Sequence, residues 1–111
     1  MTELSQKTCR PCKGGQDPLK PEQIDRLKSE APDWEVVDNH RLRRQWDFPD
    51  FSTALEFVNE VGDLAEQQGH HPDIQLGYGK VVIEMHTHKI GGLSENDFIM
   101  AARIDRIPLP T

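Results

Sequence analysis

Two segments of alternating apolar and polar residues, each interrupted by a short turn, constrain the fold of this chain most. Alternation with a period of two is typical of strands that bury one face, and a turn between two such runs predicts a β-hairpin. The runs are residues 34–37 and 42–48, separated by 38–40, and residues 73–78 and 81–88, separated by Gly79 and Lys80. The sequence therefore predicts two hairpins.

Three further segments show helical spacing or helix boundary signals. The first has proline at its predicted first helical position, the second has apolar residues at steps of three and four, and the third begins with a capping box. They run from Pro21 to near Pro32, from an Asp50 cap to a left-handed stop at Gly69, and from a Ser94 cap, with Asp97 reaching back, to about Ile107.

The order helix, hairpin, helix, hairpin, helix predicts an α+β fold. We expect a four-stranded antiparallel sheet with three helices packed on one face, because single strands do not alternate with helices. Residues 1–20 form an expected irregular leader, and residues 21–111 one domain. On the last strand, the face left open carries Glu84, His86 and His88.

Composition excludes several classes of function. The 111 residues suffice for one domain, and 19 acidic against 13 basic residues give a net charge of −6, which disfavours binding to nucleic acid. The chain shows no run of apolar residues long enough for a membrane span and no secretory signal at its start, so a cytoplasmic location is expected. Phosphate-binding and dinucleotide-binding glycine motifs are missing as well, which favours a redox-neutral reaction.

Histidines provide the main functional signal. Four of the five lie in two places, His70-His71 after the long helix and His86-Thr87-His88 at the end of the last strand. Side chains two apart on a strand share a face, and the second hairpin returns the chain toward the same end of the sheet. Imidazoles titrate near neutral pH, so such a group suits general acid and base catalysis without a cofactor.

Two other interpretations of these histidines stay open. In the first interpretation the histidines are ordinary surface residues, and in the second they are ligands of a metal ion. Against metal, adjacent His70 and His71 do not easily point to one ion, and no carboxylate or cysteine completes the set at helical spacing. The sequence prediction is therefore a site without metal.

Cys9 and Cys12 lie two residues apart in the leader. A disulfide between two cysteines this close in sequence would not cross-link distant parts of the fold, and no second pair of cysteines or histidines lies at zinc-finger spacing. An exposed segment is the main interpretation, with half of a zinc site or a redox pair as alternatives.

The spacing around the histidines resembles the signature of the pterin-4a-carbinolamine dehydratases. The resemblance covers residues 20–107 and extends through Gly91-Gly92-Leu93-Ser94-Glu95-Asn96-Asp97-Phe98. Its motif residues are Glu66, His70, His71, Pro72, Tyr78, His88 and Asp97.

This resemblance implies an enzyme, a carbon-oxygen hydro-lyase that dehydrates 4a-hydroxytetrahydropterin to quinonoid dihydropterin during tetrahydrobiopterin recycling. It implies catalytic roles for His70, His71 and His88, and no cofactor. We hypothesise that His70 and His88 move protons and that His71 orients the pterin. The implied substrate-binding residues are Glu66, Gly69, His70, His71, Pro72, His86, Thr87, His88, Lys89 and Asp97.

The resemblance also implies partners. They are a small pterin substrate, other copies of the chain in a homodimer or homotetramer, and an aromatic amino-acid hydroxylase as a functional link.

Two alternative functions remain: a regulatory or protein-binding module of the same fold, and a histidine-ligated metalloprotein. For Asp97, the helix-capping role is favoured over substrate contact.

Overall fold

A computed structural model describes residues 3–10 and 17–110, so Cys12 and the rest of residues 11–16 lie outside the described part of the chain. Its elements confirm the predicted α+β class. The helices are α1 (Pro21–Lys28), α2 (Phe51–Gln68) and α3 (Glu95–Asp105), the strands are β1 (Glu35–Val37), β2 (Arg41–Asp47), β3 (Asp73–Leu76) and β4 (Lys80–Met85), and 3₁₀ turns occupy Leu4–Gln6 and His88–Ile90.

The four strands form one antiparallel sheet in the order β1-β2-β4-β3. Because β4 pairs with both β2 and β3, the two predicted hairpins join at the centre of the sheet. Alternate residues of β2 and β4 enter a single core shared with the helices, and the opposite face carries mainly polar side chains. The buried sheet residues of that core are Leu42, Trp46, Val81, Ile83 and Met85. No helix in the described stretches is long and apolar enough to cross a membrane.

The first hairpin turns through two residues with left-handed backbone angles. Asp38 and Asn39 have φ values of 55° and 52°, which these two residue types tolerate better than most. His40 follows them in the turn, and its ring lies on the ring of His86, with centroids 5.2 Å apart. The turn therefore brings a histidine distant in sequence next to the end of β4.

In the second hairpin the turn lies one step earlier than the sequence suggested. Lys80 already belongs to β4, and Gly77 N–H donates to Lys80 O at 2.8 Å to close the turn. Gly79 packs directly on the β2 side of the sheet, where its carbonyl oxygen accepts a hydrogen bond of 2.8 Å from Phe48 N–H. A Cβ atom at Gly79 would lie only 2.6 Å from Phe48 O.

We expect Gly79→Ala to lower the free energy of unfolding by about 1–3 kcal/mol, because a backbone oxygen must move to admit the methyl group. Urea denaturation followed by circular dichroism measures the change. Gly77→Ala is the matched control, since a Cβ there has its nearest contact at 3.8 Å. An equal loss of unfolding free energy in the two variants would show that the close approach of a Cβ atom to Phe48 O is not the cause.

Helix α2 begins and ends where the sequence predicts. The Asp50 side chain accepts a hydrogen bond of 2.8 Å from Thr53 N–H, and Gly69 ends the helix with a left-handed φ of 66°. Its apolar face packs on the sheet through Ala54, Phe57, Val61 and Ala65. Helix α3 starts at the predicted cap, Ser94, but ends at Asp105 rather than near Ile107.

Trp34 and Tyr78, two aromatic residues of the strand segments, lie away from the histidines. Trp34 is buried in the core, where its indole N–H donates to Asp105 at 2.9 Å, and Tyr78 is exposed in the second turn. Arg44 also contacts Asp105, at 2.6 Å. Burial nevertheless raises the pKa of Asp105, against the opposing effects of the Trp34 and Arg44 contacts.

The described part of the leader, residues 3–10, packs along α3. Leu4 is buried, and Arg103 Nε on α3 donates to Lys7 O at 2.7 Å. Farther along, Cys9 N–H donates to the Gln68 side chain at 2.9 Å. Because of these contacts, residues 3–10 run from the C-terminal end of α3 to the C-terminal end of α2.

Candidate active site

A cavity of about 530 Å³ lies between the end of α2, the end of β4 and the leader. Its volume is within the range typical of small-molecule sites. Four histidines line it: His70, His71, His86 and His88. Another cavity, of about 390 Å³ between α2 and the C-terminal end of α3, is lined by no histidine.

The end of helix α2 determines where His70 and His71 lie. The left-handed turn at Gly69 reverses the chain direction, and His70 N–H still bonds to Ala65 O at 3.3 Å. Pro72 then leads directly into β3. The two adjacent histidines consequently have different surroundings: the His70 side chain is 13% exposed and that of His71 is 61% exposed.

His86 and His88 come together in a different way from the one the sequence suggested. Strand β4 ends at Met85, Thr87 forms a bridge to Gly92, and His88 begins the 3₁₀ turn. The prediction that both histidines lie on the strand is therefore wrong, because pairing with β2 ends at Met85 and Thr87 pairs instead with Gly92. Their rings still meet, with His86 Nε2 and His88 Nδ1 3.1 Å apart.

A buried carboxylate holds the ring of His70. Asp97 is fully buried, and its Oδ1 lies 2.6 Å from His70 Nε2. Its other oxygen, Oδ2, accepts hydrogen bonds of 2.9 Å from the Thr87 hydroxyl and from Ser94 N–H. A neutral His70 ring that donates its Nε2–H to Asp97 Oδ1 leaves Nδ1 as a hydrogen-bond acceptor.

Asp97 has the helix-capping role favoured from the sequence and, in addition, a contact with His70 that the sequence did not indicate. It completes the capping box at the start of α3, as predicted, and one of its oxygens also contacts a cavity histidine. The Ser94 and Thr87 hydroxyls lie 2.7 Å apart, which extends the network around the carboxylate. A residue fixed by the helix start therefore sets the orientation of an imidazole from another element.

Glu66 contacts His71 rather than His70. Its Oε2 lies 3.0 Å from His71 Nε2 at the exposed end of α2, and the two side chains are 79% and 61% exposed. Exposed pairs of this kind contribute little to stability because water screens them.

His86 has an environment that favours a neutral ring. Partial burial and the neighbouring His88 and His40 lower the pKa of His86, and the charges of Asp73 and Asp97 oppose this only in part. A neutral imidazole offers one nitrogen that donates and one that accepts. At 3.1 Å the His86 and His88 rings can share one hydrogen bond.

Most residues predicted for the site line the cavity. Glu66 and Asp97 do not, but each contacts a histidine that does, and Pro72 lines a neighbouring depression together with Glu66 and His71. The predicted residues that line the cavity are Gly69, His70, His71, His86, Thr87, His88 and Lys89.

Sequence reasoning missed several residues of this region. Asp73 lies beside His86 and His88, with one potential ligand atom from each residue within 4.8 Å of the others. The search at helical spacing could not find this carboxylate, because antiparallel pairing of β3 with β4 brings it to the histidines. Cys9 and Arg10 of the leader also line the cavity, and Arg10 N–H donates to the Asn96 side chain at 2.9 Å.

Comparisons with known proteins agree with this architecture. The sequence model of the family described as "Pterin 4 alpha carbinolamine dehydratase" matches residues 17–107. A protein of Rubrobacter xylanophilus, provisionally named pterin-4-alpha-carbinolamine dehydratase, is 56% identical over 107 residues, covering 96% of this chain and all of the relative. A protein of the same provisional name from Chlorobium limicola is 53% identical, over 93% of this chain and 94% of its own.

Two solved structures share the fold. A protein described as a transcriptional coactivator/pterin dehydratase from Brucella melitensis superposes with a TM-score of 0.74 at 29% identity, over 80% of this chain and 96% of its own. A pterin dehydratase-like protein identified as a RuBisCO assembly factor gives 0.55 at 24% identity, over 65% and 84%, and supports the fold alone. With a family match over nearly the whole chain and relatives above half identity, the chain belongs to the pterin 4 alpha carbinolamine dehydratase family.

Proposed function

We propose that this chain dehydrates 4a-hydroxytetrahydropterin to quinonoid dihydropterin by histidine general acid and base catalysis. The observation that carries the proposal is the contact of 2.6 Å between buried Asp97 and His70, in a cavity that three further histidines also line. A carboxylate that fixes an imidazole also stabilises the imidazolium ion formed when the ring accepts a proton, as in other catalytic sites that pair these groups.

The reaction removes one water molecule and involves no change in oxidation state. The hydroxyl group leaves C4a, the proton leaves N5, and the nitrogen lone pair forms the C4a–N5 double bond. The enzyme therefore needs one group that protonates the leaving hydroxyl and one that accepts the N5 proton. Imidazole serves in either role near neutral pH, and each such group typically contributes about 10²- to 10⁴-fold to the rate.

In this proposal His70 is the base and His88 the acid. His70 suits the first role because its Nε2 is engaged with Asp97, which leaves Nδ1 to accept a proton. His88 has Nδ1 against His86, which leaves Nε2 for the leaving hydroxyl. His71, more exposed and bonded to Glu66, orients the pterin ring. Proton exchange with solvent returns His70 and His88 to their starting protonation states after each turnover.

Three further predicted residues that line the cavity bind substrate in the same scheme, whereas Glu66 and Asp97 act through their contacts with His71 and His70. Lys89 and Thr87 line the cavity beside the histidines, and Gly69 lets the ring approach the backbone at the end of α2. No cofactor enters the scheme, because the substrate itself supplies the electron pair that expels hydroxide.

We infer the biological setting from the family's reaction. Aromatic amino-acid hydroxylation leaves the pterin as the 4a-hydroxy compound that is the substrate here, so the proposal assigns the chain to tetrahydrobiopterin recycling, in the cytoplasm and with a hydroxylase as its functional link. Assembly into a homodimer or homotetramer belongs to the same proposal, supported by the two sheet edges, at β1 and β3, that have no strand partner among the described residues.

A stopped-flow assay with freshly generated 4a-hydroxytetrahydropterin tests the activity. We expect the full chain to accelerate formation of the quinonoid product over the buffer reaction, in proportion to protein concentration. A rate equal to that of buffer would contradict the proposal.

One observation favours a second candidate function. The Brucella relative of known structure, 29% identical to this chain, is described as a transcriptional coactivator as well as a pterin dehydratase. A protein-binding module would make its contacts through surfaces outside the cavity. The absence of turnover in the stopped-flow assay would favour this alternative.

A further inference from the structure

A carboxylate and two imidazoles lie together at the exposed end of the β3–β4 pair. Asp73 is the first residue of β3 and pairs in register with Glu84, two residues before His86. Potential ligand atoms of Asp73, His86 and His88 all lie within 4.8 Å of one another. We refer to these three residues as the Asp73 cluster.

The spacing of this cluster is close to that of a metal site. Ligands bound tetrahedrally at about 2.0–2.1 Å from a zinc ion lie about 3.3 Å from each other. His86 Nε2 and His88 Nδ1 lie 3.1 Å apart in the hydrogen bond that their rings can share, and a bound ion would replace that hydrogen bond. Asp73 and His88 are exposed, so small rotations of their side chains can bring the third ligand atom to the same distance.

The donor set indicates which kind of ion fits. Two imidazoles and one carboxylate form the ligand set of open zinc sites, in which water or another molecule takes the fourth position. Magnesium and calcium prefer sites made entirely of oxygen atoms. The carboxylate lowers the net charge of the bound site, since neutral imidazoles leave the charge of a divalent ion uncompensated.

We propose that Asp73, His86 and His88 bind a divalent transition-metal ion of the zinc type, and that this ion inhibits the enzyme by engaging His88. The binding site is independent of the reaction, whereas the inhibition rests on the proposed function. A metal on His88 Nδ1 changes the ring that the scheme uses as acid, at the side of the cavity that His86 and His88 line. Bound zinc therefore takes the acid out of the reaction.

Isothermal titration of the full chain with zinc chloride tests the binding. The titration uses a Cys9→Ser, Cys12→Ser background as well as the unaltered chain, because thiols bind zinc on their own account. We expect one ion per chain in the cysteine-free background, and any further ion in the unaltered chain is bound by the thiols. Loss of binding in the cysteine-free background would overturn the proposal, since the thiols would then be the ligands.

Substitution of single ligands locates the site. We expect Asp73→Asn and His86→Ala each to weaken zinc binding by at least the factor of about 10 to 100 that loss of an outer partner causes in known metal sites. Asp47→Asn is the matched control, because it removes one negative charge from the same sheet face at the end far from the cluster. Affinity unchanged by Asp73→Asn and His86→Ala, or no saturable binding at all, would overturn the proposal.

The inhibition has a separate readout. We expect zinc to slow dehydration by the unaltered chain, chelator to restore the rate, and His86→Ala to show less inhibition at the same zinc concentration. Zinc that binds to the cluster without slowing an active enzyme would overturn the inhibitory role. A chain without turnover would refute the proposed function, while the titration would still report on the metal site.

Discussion

His70→Ala and His88→Ala are each expected to lower kcat/KM for 4a-hydroxytetrahydropterin by about 10²- to 10⁴-fold, because each removes one proton-transfer group. We expect His70→Ala to cause the larger loss of the two, because the proposed scheme relies on the contact of His70 with buried Asp97. The stopped-flow assay measures both variants. His71→Ala is expected to raise KM more than it lowers kcat, because the proposal assigns His71 to orienting the pterin ring.

His40→Ala provides the matched control for a lost imidazole. His40 does not line the cavity, although its ring packs on His86. We expect this variant to keep kcat within about threefold of the unaltered chain, below the contribution of a general acid or base. Near-normal turnover in His70→Ala and His88→Ala would refute the assigned roles.

Asp97→Asn is expected to have the second largest effect, on both activity and stability. The amide has one acceptor oxygen, whereas the carboxylate accepts from His70, Thr87 and Ser94 through two. Its NH₂ group must face at least one donor, so we expect a loss of about 1–3 kcal/mol in unfolding free energy from the unsatisfied contact. We also expect kcat to fall by about 100-fold or more, because His70 loses the partner that fixes its tautomer.

Two measurements separate the positioning role of Asp97 from a merely structural one. Nitrogen NMR of His70 reports which ring nitrogen carries the proton, and the pH profile of kcat reports whether the essential base has changed. Asp50→Ala is the control for stability, because it removes the cap of α2, a loss of about 1 kcal/mol, at the other end of that helix from the cavity. We expect Asp50→Ala to keep kcat at temperatures below its melting point. An Asp97→Asn variant with normal kcat and an unchanged His70 tautomer would contradict the positioning role.

Local chemistry made much of the fold predictable. Asp50, Gly69 and Ser94 mark helix boundaries through hydrogen bonds and backbone angles that involve only nearby residues, and the structure contains all three. The two hairpins follow from period-two alternation in the same way. The end of α3 was less predictable, because the chain continues in turn-like bonds as far as Ile107 after the regular helix stops.

The candidate site was predictable only in part. The histidines stood out because they cluster in the sequence, and the antiparallel return of the chain after Pro72 indicated that the two groups meet. Asp73 gave no such signal, since its proximity to His86 and His88 depends on strand register rather than on spacing along the chain. Cys9 and Arg10 reach the cavity only because Leu4 and Lys7 anchor the leader along α3.

The sequence by itself determined the order of the elements, the helix caps, the α+β class and the histidines that the family signature contains. The tertiary structure decided which nitrogen of His70 faces a carboxylate, which histidine Glu66 contacts, and that Asp73 joins His86 and His88. The physical reason is how far apart in the sequence the interacting residues lie. Caps and alternation act over a few residues, whereas the contact between His70 and Asp97 joins residues 27 positions apart and exists only after α2, β4 and α3 have packed together.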